Sequence, residues 1–71
     1  MNTQNRRLVK YLEDHESITQ LEALNELGIF RLASRINDLK RIGYDIGGEM
    51  VDVTNRFGEV AKVKRYFLKN A

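Results

Sequence analysis

The sequence predicts an α+β domain in which three helices precede a two-stranded β-hairpin. Three observations carry that expectation. Apolar residues recur three and four apart in three stretches up to Ile42, the period of amphipathic helices. Gly28 and Gly43 stand directly after the last apolar residues of the second and third stretches, where a helix needs a residue that tolerates the left-handed turn. Beyond Gly43 the apolar period falls toward two, and Asn55-Arg56-Phe57-Gly58 divides that half into two strand-like runs.

The first helix is expected over residues 3–15. Leu8 and Leu12 are four apart, with Val9 and Tyr11 beside them, and Asn2 or Thr3 caps the start. Lys10 and Asp14 are spaced to pair outside, and His15 places a cation in the last turn. Ser17-Ile18 reads as a short apolar link. Thr19-Gln20-Leu21-Glu22 then matches a capping box, in which Thr19 accepts from the Glu22 amide and Glu22 reaches back. It opens a second helix over residues 20–27. Leu21, Leu24 and Leu27 are its apolar stripe, and Ala23 is small enough for another helix to approach closely. A third helix is expected over residues 31–42, burying Leu32, Ile36 and Leu39. Its outward face reads Arg31, Ser34, Asn37, Asp38 and Arg41, with Arg35 and Lys40 on the flanks. Tyr44, Ile46, Val51 and Val53 mark the first strand, in which Gly47-Gly48 predicts a bulge or kink. Residues 54–59 form the turn. Residues 60–68 form the second strand, with Lys62 and Lys64 on one face and Ala61 and Val63 on the other.

The totals bound the function. A chain of 71 residues is one domain, residues 1–71, with a thin core and a stability on the order of 5 kcal/mol. There is no cysteine and one histidine, His15, so neither disulfides nor a thiolate or histidine-rich metal centre is expected, and no cofactor is implied. Glu13, Asp14 and Glu16 beside His15 read as a solvated acidic patch. No nucleophile–base pair or phosphate loop is recognisable, which argues against an enzyme. No apolar run approaches the roughly 20 residues of a membrane span, and residues 1–7 are polar, so a cytoplasmic location is expected. Net charge is only +2, but it is unevenly placed. Residues 31–42 carry four basic residues against Asp38, and residues 55–71 carry five against Glu59, while the segments between and before them are net acidic. Two basic segments folded to one side would make a footprint for phosphate.

Two helices joined by a short glycine turn, the second basic and polar outside, make a helix-turn-helix. Such a unit projects one face of its second helix, which fits the major groove. Arginine can give two hydrogen bonds to guanine and asparagine two to adenine, and aspartate can accept from cytosine. The candidate contacts on the third helix are therefore Arg31, Ser34, Arg35, Asn37, Asp38 and Arg41. The hairpin would be a wing, with Arg56 at its tip reaching phosphate or the minor groove, and Lys62 and Lys64 on the backbone.

The segments Ile18-Thr19-Gln20-Leu21-Glu22-Ala23-Leu24, Leu27-Gly28-Ile29, Arg31-Leu32-Ala33-Ser34-Arg35-Ile36-Asn37-Asp38-Leu39, Gly43-Tyr44-Asp45-Ile46 and Val53-Thr54-Asn55-Arg56-Phe57-Gly58 resemble small winged helix-turn-helix proteins of bacteriophages and prophages. The resemblance spans nearly the whole chain. It implies a regulator that binds double-stranded DNA through the third helix and wing; with no long extra helix for dimerisation in the sequence, a monomer or weak homodimer is expected. Phe30 departs from it, since a small polar helix cap is usual at that place. Two alternatives remain open on the residues: a protein-interaction module that binds a host protein, and an excisionase-like architectural DNA binder.

Overall fold

The computed structural model describes residues 2–69. Helix α1 spans Thr3–Asp14 and is capped by Asn2, whose Oδ1 accepts from the Asn5 amide at 2.8 Å. His15 follows the helix in extended conformation, and its ring stacks on Tyr11 with centroids 4.2 Å apart. Strand β1, Ile18–Thr19, leads into the capping box at Thr19, where both reciprocal bonds with Glu22 form. The second helix, α2, starts as one α turn, Gln20–Glu22, and widens into a π turn, Ala23–Leu27, closed by Gly28 in the left-handed region with φ 68°. Helix α3 spans Leu32–Arg41, and strands β2, Ile46–Thr54, and β3, Val60–Leu68, form the hairpin.

The three strands make one antiparallel sheet in the order β1-β3-β2. Ile18 pairs with Tyr66 and Thr19 with Arg65. The expected apolar link at Ser17-Ile18 is thus partly a strand, and the sheet has three strands where two were expected. The reason is local: Ile18 and Thr19 are both β-branched, and their extended backbone also sets the entry to the capped helix. The β2–β3 register runs unbroken from Ile46 opposite Leu68 to Thr54 opposite Val60, so the bulge expected at Gly47-Gly48 is absent. Those glycines make room across the ladder instead. A Cβ on Gly47 would lie 2.7 Å from Phe67 Cζ, and one on Gly48 would lie 2.7 Å from Lys64 Cε.

The core draws from the helices, the turn between them and strands β1 and β2: Leu8, Val9 and Leu12 of α1, Ile18, Ala23, Ile29, Leu32, Ile36 and Leu39, and Ile46. Tyr11, Leu27, Tyr44, Tyr66 and Leu68 pack around it. The stripe expected for α3 is buried as predicted. The stripe expected for the second helix is not: Leu21 is 66% exposed and Leu24 37%, while Ala23 is fully buried. A π turn bonds five residues apart, so a spacing of three no longer keeps to one face. Ala23 and Leu27, four apart, take the inward side, and the small side chain of Ala23 is what lets this helix sit on the core. Burial, and then the nearby charges of Glu22 and Glu26, raise the Tyr11 phenol above its ordinary pKa. No helix among the described residues is long and apolar enough to cross a membrane.

Candidate nucleic-acid interface

The approach to α3 is fixed by one side chain. Arg31, at the N-cap position, offers no side-chain cap, and neither does the exposed Phe30 before it. Gln20 supplies the missing partner from the start of the second helix. Its Oε1 accepts from the Leu32 amide at 2.9 Å, and its Nε2 donates to the Ile29 carbonyl at 2.8 Å. One amide therefore satisfies an orphan donor of α3 and a carbonyl of the turn, and locks the two helices of the motif at a fixed angle. Gln20 was not among the residues singled out in the sequence. Its partners lie nine and twelve residues away, so no local spacing announces it.

With Leu32, Ile36 and Leu39 inward, helical geometry turns the other side of α3 to solvent. Ala33, Asn37, Lys40 and Arg41 are exposed there. Ser34, Arg35 and Asp38 are half-buried, so the outward face is rotated relative to the one read from sequence and takes in Lys40. Asp38 is held by two arginines, Arg35 at 3.2 Å and Arg41 at 3.7 Å. These pairs neutralise part of the helix's positive charge. The Arg35 and Asp38 side chains are 29% and 30% exposed, whereas Arg41 is 77% exposed and projects well beyond the carboxylate.

The hairpin stands beside this helix, with a cleft of about 440 Å³ between them. Thr19, Leu21 and Ala33 line it on the helical side, and Val53, Asn55 and Lys64 on the hairpin side. Lys64 extends over the Tyr66 ring, 5.5 Å from its centroid. Lys62 is tied across the strands to Asp52 at 3.1 Å, and Arg65 is paired with Glu49. The tip is built by Asn55, whose Oδ1 accepts from the amides of Phe57 at 2.9 Å and Glu59 at 3.1 Å. Gly58 takes φ 79° to close the loop. Arg56 lies over the Phe57 ring, 5.8 Å from its centroid.

The sequence-predicted residues therefore fall into three groups. Arg31, Asn37 and Arg41 are exposed on or at the head of α3, and Arg56 and Lys64 on the hairpin. Ser34, Arg35 and Asp38 are partly covered. Lys62 is exposed but paired. On α3 and the hairpin, Arg31, Lys40, Arg56 and Lys64 form no ion pair with a described carboxylate and are free to receive a phosphate; Arg6 and Arg7 of α1 form none either.

No curated protein matches the chain significantly. The family comparison does match: residues 3–71 fit the winged helix-turn-helix domain, a fold suited to binding DNA, and the chain belongs to that family.

Proposed function

We propose that this domain binds double-stranded DNA as a transcriptional regulator, with α3 in the major groove and the hairpin on the flanking backbone and minor groove. The observation that carries the reading is the geometry of α3: a clamped, capped helix whose free side offers Asn37, Lys40 and Arg41 beside a hairpin bearing Arg56 and Lys64. Asn37 and Arg31 are the base-reading candidates, with Ser34 reaching bases or phosphates from its partly covered position. Lys40, Arg41, Arg56 and Lys64 hold phosphates, and Lys62 joins them if its pair with Asp52 opens. Arg35 and Asp38 act chiefly on each other, and through Arg41 on the orientation of that side chain. The role is one of binding and not catalysis, in a phage or prophage setting that rests on the sequence resemblance. It acts as a monomer or weak dimer in the cytoplasm.

Fluorescence anisotropy of a labelled random-sequence duplex across a salt series tests this. With Lys40, Arg41, Arg56 and Lys64 on phosphates, log K should fall against log salt with a slope of about −3 to −4, steeper if Lys62 joins them. Binding without salt dependence, or none at low salt, contradicts the proposal. A second reading, a module that binds a host protein, is favoured by one observation: Phe30 is 78% and Leu21 66% exposed, and Leu21 lines the apolar cleft. Binding through those side chains would be insensitive to salt.

A further inference from the structure

We infer that Phe57 is a wedge: on a duplex, the hairpin tip stacks this ring between base pairs from the minor groove and bends the DNA. The inference rests on the DNA-binding reading and goes beyond it, because it assigns the tip a distortion of the duplex and not only a backbone contact.

Four features of the tip point the same way. Phe57 is 77% exposed, so its ring serves no core and its removal leaves the fold intact. The loop that presents it is nevertheless fixed. Asn55 Oδ1 accepts from the Phe57 and Glu59 amides, the Asn55 amide donates to the Glu59 carbonyl at 2.9 Å, and the Gly58 amide donates to the Asn55 carbonyl at 3.0 Å. A ring on a bonded loop gives up little conformational freedom on insertion, unlike one on a floppy loop. Arg56 already covers the ring, 5.8 Å from its centroid, and a cation beside the wedge meets the negative potential of a narrow minor groove. Val53, 40% exposed, and Val60, 67% exposed, stand at the tip end of the two strands and add apolar surface behind the ring. Glu59 balances Arg56 in charge, so the tip enters by apolar contact and stacking and not by net charge. Apolar side chains placed this way unstack a base step and kink the duplex by roughly 20–90°.

The test uses the full chain and a short random-sequence duplex labelled at both ends for energy transfer. The chain has no tryptophan, so Phe57→Trp introduces a single one at the tip, excitable apart from the three tyrosines. Three results are expected. The native chain shortens the end-to-end distance. Phe57→Ala abolishes the shortening and weakens binding by about tenfold with an unchanged salt slope, while Phe57→Leu restores the bend. Emission from Phe57→Trp is strongly quenched at saturating DNA. A Phe57→Ala protein that bends the duplex as the native chain does, or an unquenched tryptophan on bound DNA, overturns the wedge while leaving DNA binding standing. Failure of the native chain to bind the duplex at low salt overturns both. Loss of a protein partner's binding in Phe57→Ala, with DNA bending unchanged, overturns the wedge in favour of a protein-contacting tip.

Discussion

Gln20 shows how much a single side chain decides in a domain this small. Its amide caps α3 and pins the preceding turn, which is why neither Phe30 nor Arg31 has to be a small polar cap. Gln20→Ala should lower stability by about 1–2 kcal/mol, read by chemical denaturation, and speed exchange of the Leu32 amide. Asp38 is the counterpart on the electrostatic side. Asp38→Asn removes a negative charge from α3 and frees Arg35 and Arg41, so binding to random-sequence DNA should tighten severalfold and its salt slope steepen. Unchanged affinity and slope would mean that Arg35 and Arg41 do not reach phosphate even when freed. The two adjacent strand glycines should also behave differently. Gly48→Ala has to shift only the flexible end of Lys64, with the Tyr66 ring at an ordinary 3.5 Å, and should be neutral or stabilising by about 0.5 kcal/mol, whereas Gly47→Ala must displace the half-buried Phe67 ring and should cost about 1 kcal/mol or more. At this scale, types of residue were readable in the sequence but partners were not. The Thr19–Glu22 box and the Lys10–Asp14 pair are local and were legible. The Gln20 clamp and the glycine clearances depend on contacts made across the fold.

At the scale of elements, periodicity served where a helix is regular and failed where it is not. The stripes of α1 and α3 read directly, and Leu39, fully buried in α3, should cost about 2–5 kcal/mol when cut to alanine, a large share of the stability of so small a domain. The second helix widened into a π turn, and three-residue spacing then misplaced Leu21 and Leu24. Strand β1 is two residues long, too short to show an alternating pattern, and its existence is set by its partner β3. That short strand matters to function, because it anchors the base of the hairpin to the start of the second helix, so the two arms of the candidate interface share one foundation. Ile18, fully buried and paired with Tyr66, is the joint between them.

For the whole molecule, charge is arranged by folding more than by composition. A net charge of +2 says little, yet of the six cations without an ion pair among the described residues, Arg31, Lys40, Arg56 and Lys64 belong to α3, its N-cap and the hairpin, and only Arg6 and Arg7 to α1. The remaining basic side chains of the sheet are largely answered by carboxylates across the strands: Lys62 by Asp52, Arg65 by Glu49, and Lys69 by Asp45 at 3.9 Å. The sequence located both basic segments, but only the fold distinguishes cations that hold the sheet together from those left for a ligand. Exposed ion pairs of this kind contribute little to stability, about 0–1 kcal/mol each, so their neutralising effect on the surface is the larger consequence.

The central claim is that α3 and the hairpin together form a DNA surface. An amide-shift titration of the isotope-labelled domain with a random-sequence duplex, at low and at moderate salt, tests it most directly. Salt-sensitive shifts should concentrate at residues 31–41 and 55–64, with the outer face of α1 silent. Shifts confined to α1, or none at low salt, would contradict it and direct the search to a protein partner.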